Sequence, residues 1–80
     1  MDAVTITQML MDAGIAGYAK KWQGRRIYIN LDACDRSFAG NRSYQLYYDI
    51  ATASLVSKAG KGTVSSAYRQ AITKTESLFN

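Results

Sequence analysis

The chain has no histidine, no proline and a single cysteine among its 80 residues. Without histidine it lacks the side chain that titrates near neutrality and serves most often as general base or neutral metal ligand. Cys34 alone makes neither an internal disulfide nor a thiolate cage for zinc, which excludes a small disulfide-stapled scaffold. No apolar run approaches the roughly 18 residues needed to span a bilayer. Asp2 stands where a signal peptide would carry its basic start. These absences set the expectation of an intact cytoplasmic protein with no membrane association and no cofactor. What is present is a globular composition, 48% hydrophobic and 20% charged, which places the chain outside the disordered class. Eighty residues leave room for one core, so residues 1–80 are expected to form a single domain. Ten Lys+Arg against six Asp+Glu give a formal charge of +4.

Hydrophobic spacing supplies the elements. Thr5 and Gln8 have the spacing of a capping box, with Val4 and Met9 placed as a hydrophobic staple, which predicts a helix over 5–13. Ile6, Met9, Leu10 and Ala13 form its apolar stripe. Gly14 is the left-handed stop, and Ile15 is positioned to fold back toward Leu10. A hairpin follows, with Tyr18, Lys20 and Trp22 alternating with Ala19, Lys21 and Gln23, and its turn at Gln23-Gly24-Arg25. The clearest strand runs from Arg25 to Asp32. Ile27, Ile29 and Leu31 mark its buried side, and Arg26, Tyr28, Asn30 and Asp32 its wet side.

Residues 33–42 have no period and read as a loop. The stretch from Ser43 to Lys58 fits two templates: Tyr44, Leu46, Tyr48 and Ile50 alternate as a strand, while Tyr44, Tyr47, Tyr48, Ala51 and Leu55 fit a helix. Aromatic and β-branched content favours the strand, with a turn over Asp49–Thr52 and a short fourth strand at Leu55-Val56. Thr63 then caps a final helix whose inner face is Val64, Ala67, Tyr68, Ala71, Ile72, Leu78 and Phe79. The expected fold is α+β in two layers, an antiparallel sheet of three or four strands with an N-terminal and a C-terminal helix, in the order α-β-β-β-α.

Catalytic constellations are thin. Asp32 and Asp35, joined by Asp49 from the next strand, would be the carboxylates to hold Mg²⁺, but turn-forming aspartates in a solvated loop are the more ordinary explanation. Cys34 has no histidine to activate it and reads as a small, half-buried, inert thiol. Lys58-Ala-Gly-Lys-Gly-Thr63 lacks the spacing of a phosphate-binding loop. No enzymatic activity and no metal are expected.

The cations are better organised. Lys20, Lys21, Arg25 and Arg26 lie within seven residues around one turn with no acid between them. Trp22 and Tyr28 interleave with them, Tyr18 precedes, and Tyr44, Tyr47 and Tyr48 follow. Arginine, tyrosine and tryptophan are enriched in protein-binding hot spots, and the same residues on a wet sheet face can stack on bases and grip phosphates. Exposed cross-strand pairing, with lysines guarding a sheet edge, needs no partner at all. The expected contact surface is Lys20, Lys21, Trp22, Arg25, Arg26 and Tyr28, with Arg36 and Arg42 at its rim. A protein partner ranks slightly ahead of direct binding to DNA or RNA, and both a monomer and a homodimer are compatible with this size.

Two resemblances bear on these residues. The element order is similar to that of the double-stranded-RNA-binding domain, and Gly60, Gly62, Thr63, Ala67 and Ala71 match the entry into its last helix. Val64, Ser65 and Tyr68 stand where that family carries its phosphate-gripping cations, so the likeness extends to topology over about 20 residues. The overall profile, a tiny basic protein without catalytic groups and with an aromatic, charged surface, resembles small phage and mobile-element inhibitors of the anti-CRISPR kind. That class has no shared motif from which to carry over a residue. The resemblance implies a cytoplasmic site of action in a bacterial host cell, on an effector complex that handles nucleic acid and offers an acidic patch.

Overall fold

The computed structural model describes residues 1–21, 24–34, 44–60 and 64–79. Two helices and four strands follow in chain order: α1 (Ala3–Asp12), β1 (Gly17–Lys21), β2 (Arg26–Leu31), β3 (Tyr44–Asp49), β4 (Ser54–Ala59) and α2 (Ser66–Ser77). The strands form one antiparallel meander in the order β1-β2-β3-β4. The fold is thus α+β, and residues 44–59 form two strands joined by a turn. The fourth strand sets the topology, α-β-β-β-β-α, apart from the order shared with the double-stranded-RNA-binding domain.

Helix α1 starts earlier than its capping box suggests. Asp2, not Thr5, is the N-cap, and its Oδ1 accepts from the Thr5 backbone N–H at 2.8 Å. A carboxylate at this position satisfies an orphan donor and also meets the positive end of the helix dipole. The expected staple is absent because Val4 points to solvent at 78% exposure. The C-terminal end behaves as its sequence predicts. Gly14 adopts φ +71°, its N–H donates to the Met11 carbonyl, and the Ile15 N–H donates to that of Leu10 at 2.9 Å. Ile15 and Leu10 are both buried in the core, as this paired-bond stop requires.

Helix α2 is capped by Ser65, whose Oγ accepts from the Tyr68 N–H at 3.2 Å. The expected cap, Thr63, lies outside the described residues. Tyr68, Ile72 and Thr75 form its buried stripe, while Ala67 is exposed. Thr75 belongs to the core although it is polar. Its hydroxyl donates to the Ala71 carbonyl at 2.8 Å, so no bonding capacity is stranded by its burial.

Both helices pack on one side of the sheet. Ile6 and Leu10 of α1 and Tyr68 and Ile72 of α2 meet Ile27, Ile29, Leu31, Leu46 and Tyr48 in one core. Strand alternation therefore puts the neighbours of these residues on the opposite, helix-free face. At the β1 edge, Thr7 of α1 accepts from the outward-pointing Ala19 N–H at 2.9 Å, which closes part of that edge to further strands. Among the described residues no helix is long and apolar enough to cross a membrane.

Candidate functional site

The helix-free face carries Tyr18 and Lys20 from β1, Arg26, Tyr28 and Asn30 from β2, Gln45, Tyr47 and Asp49 from β3, and Ser54, Val56 and Lys58 from β4. Pairing sets one row directly across it: Lys20 opposite Tyr28, Tyr28 opposite Tyr47, and Tyr47 opposite Val56. Two tyrosine rings at the middle of this row are flanked by Lys20 on one edge strand and Val56 on the other, with Lys58 one row away opposite Gln45.

Arg26 organises the centre. Its guanidinium lies 4.5 Å from the centroid of the Tyr47 ring, a cation–π contact, and donates to the Tyr28 hydroxyl at 3.3 Å. The Tyr28 and Tyr47 rings sit 5.3 Å apart at 47°. The hydrogen bond with Tyr28, followed by the nearby Tyr47, raises the Arg26 pKa above its already high ordinary value. Arg26 is exposed and Tyr47 is buried at 7% exposure, so the arginine is held on an aromatic base. A planar fork pinned in this way is pre-organised for a carboxylate or phosphate.

The remaining predicted contact residues divide. Lys20 and Tyr28 join Arg26 on the open face. Lys21 pairs with Ile27 and so points to the helix side of the edge strand, where it remains exposed. Arg25 precedes β2, is exposed, and its carbonyl accepts from the Ile50 N–H at 2.8 Å. Trp22, Arg36 and Arg42 lie outside the described residues. Tyr44 and Tyr48, grouped with the cations on sequence, turn away from them. Tyr44 meets Tyr68 edge-on at 6.2 Å, and Tyr48 packs against Phe79 at 5.8 Å. Tyr47 and Lys58 are among the members of this face that the predicted set omitted, although the alternation through Tyr44, Leu46 and Tyr48 already assigned Tyr47 to the other side.

Of the carboxylates weighed as Mg²⁺ ligands, Asp32 and Asp49 lie far apart in the fold. Strand pairing sets Asp49 opposite Arg26, while Asp32 follows the far end of β2, about 20 Å away at strand rise. Asp49 Oδ1 accepts from the Ala51 N–H at 2.9 Å and the Thr52 N–H at 3.4 Å, which commits it to the β3–β4 turn. Asp35 lies outside the described residues, among which no three metal-ligating side chains gather. Cys34 is half-buried beside Tyr68. Burial foremost, then that thiol, pushes the Tyr68 hydroxyl well above the ordinary tyrosine range.

Comparison with protein-family models, curated proteins and solved structures finds no match to this chain.

Proposed function

We propose that this is a non-enzymatic binding protein that docks the open face of its sheet on an acidic protein surface. The observation that carries the reading is the Arg26–Tyr28–Tyr47 cluster: an exposed guanidinium, anchored on a buried ring and hydrogen-bonded to a second. Arginine and tyrosine held rigidly at the middle of a face lose little entropy on binding, which is the property of interface hot spots. Lys20 and Lys58 on the same face steer an acidic partner during encounter. The resemblance in profile to anti-CRISPR inhibitors supplies the partner class, an effector complex that handles nucleic acid and is blocked by the contact.

Direct nucleic-acid binding uses the same face and is less well served by it. Base stacking needs open ring faces, and Arg26 covers one face of Tyr47, which is itself buried. The test combines two measurements on wild type and on Arg26→Ala with Tyr28→Ala. A pull-down from bacterial lysate should recover a stoichiometric protein complex, with affinity reduced about tenfold or more in the variant. Titration with mixed-sequence DNA and RNA over a salt series should show only weak binding. Equal capture by wild type and variant would remove the site assignment. Tight, steeply salt-dependent nucleic-acid binding that flattens in the variant would replace the protein partner with nucleic acid.

A further inference from the structure

The centre of the open face holds one anion receptor, and its surroundings decide which anion fits. Among the described residues the Arg26 guanidinium donates to Tyr28 alone, through Nη1, so its Nε–H and Nη2–H groups remain as a coplanar side-on fork. The Tyr28 oxygen accepts that bond and keeps its own hydrogen to donate. The backbone around the fork adds no further donor. Ile50 donates to the Arg25 carbonyl and Asp32 to that of Ala16, which fixes the phase of the ladders. Alternation then bonds Ile27 with Tyr48, Tyr28 with Lys20, and Tyr47 with Val56. The Ala51 and Thr52 amides of the adjoining turn go to Asp49. Tetrahedral anions are held by free amides, in nests or at helix N-termini, and here the amides are consumed. Asp49 adds a second constraint. It stands opposite Arg26 as a non-bonded pair, the kind in which Cα atoms lie about 4.5 Å apart and side chains share one face closely. Its carboxylate reaches along the chain to the turn amides, so a negative charge is held at the rim of the fork. An anion entering the fork is repelled by that charge in proportion to its own.

We propose that the group Arg26 receives from the partner is a carboxylate side chain, and that Asp49 is a specificity residue that disfavours phosphate monoesters. A carboxylate is planar, carries a single charge and satisfies both oxygens on the fork. A phosphate monoester brings about two charges and three acceptor oxygens. It meets nearly twice the repulsion from Asp49 and leaves an oxygen without a strong donor. Lys20, across from Tyr28, attracts both kinds of anion and does not read their shape. The inference rests on the open face being the docking surface, and it names the chemistry which that surface selects.

Benzoate and phenyl phosphate share a ring and differ in head group, which makes them matched probes. Each is titrated into the full chain at about pH 7.5, where the phosphate is mostly a dianion, and at equal ionic strength. The Arg26 Nε–H and the Tyr28 and Tyr47 ring signals are followed by NMR. Wild type should bind benzoate more tightly than phenyl phosphate. Asp49→Asn, whose amide oxygen still accepts from the turn amides, should shift the ratio of the two dissociation constants about threefold toward phenyl phosphate. Arg26→Lys keeps the charge and loses the fork, so benzoate binding read at the tyrosine rings should weaken about fivefold. Tighter binding of phenyl phosphate by wild type overturns the proposal, as does an unchanged ratio in Asp49→Asn or full-strength benzoate binding by Arg26→Lys. The absence of a saturable shift with either probe overturns it too. Its failure is separable from that of the docking reading. A phosphate preference, with capture still lost in Arg26→Ala with Tyr28→Ala, removes the carboxylate and leaves the docking surface. A carboxylate preference with equal capture by that variant does the reverse.

Discussion

Gly17 shows how much one side chain, or its absence, constrains this molecule. A Cβ built there would lie 2.5 Å from the Asn30 carbonyl oxygen and 3.1 Å from the Leu31 Cα, both backbone atoms that cannot swing aside. Gly17→Ala should therefore force β1 away from β2 and cost about 1–3 kcal/mol, read as a lower urea midpoint at unchanged slope. Tyr68 makes a different kind of prediction. Its buried hydroxyl holds its proton above the ordinary value of 10.0, at which the unfolded chain would release it. The stability linked to it is whole below that pH and falls as pH rises beyond it. Ultraviolet titration of tyrosinate should show a late step that coincides with unfolding in alkali, and Tyr68→Phe should reduce that step. A late step of unchanged size in Tyr68→Phe would contradict that burial. Arg26, by contrast, gains its rigidity from its neighbours, because only the pairing of β2 with β3 sets Tyr47 beneath it.

At the scale of elements, the helix ends are where the chain's local chemistry is most explicit and most easily misread. Asp2 and Thr5 are both good caps, and the choice between them fixes where α1 begins. Asp2 wins because its carboxylate accepts from Thr5 and the helix gains a further turn. That bonding lowers the Asp2 pKa from 3.8, so the cap's contribution is present above the unfolded value and lost as pH falls through the folded one. Thermal unfolding between about pH 5 and about pH 2 should show a shallower loss of Tm in Asp2→Asn, whose amide still caps but does not titrate. If the wild type and Asp2→Asn lost stability in parallel, a different carboxylate would control the acid limb. The β3–β4 turn has the same local character. Asp49 binds the turn's amides through its own side chain, and this short-range device separates two strands where apolar spacing alone also fitted a helix.

For the whole molecule, the decisive feature is that both helices occupy one side of a four-stranded sheet. One core then serves every element, and damage anywhere in it should be felt everywhere. Leu10, fully buried between α1 and the sheet, supplies the test. Leu10→Ala should cost about 2–5 kcal/mol. Helix content by circular dichroism and tyrosine environment by near-ultraviolet signal should be lost in one coincident transition. Two separated transitions would mean that α1 docks as an independent unit. Much of this architecture was legible in the chain alone: the stop at Gly14, the inward and outward sides of β2, the turn after Asp49, and the crowding of cations near one hairpin. Each depends on residues close together in sequence, where the two- and 3.6-residue periods and side-chain capping act directly. What only the tertiary structure decided is the composition of the open face. Which residues of β3 stand opposite Arg26 and Tyr28, and whether Asp49 lies near Asp32, depend on strand register. Register is set by burying Ile27, Ile29, Leu31, Leu46 and Tyr48 together against two helices, a condition that no local stretch of the sequence can express.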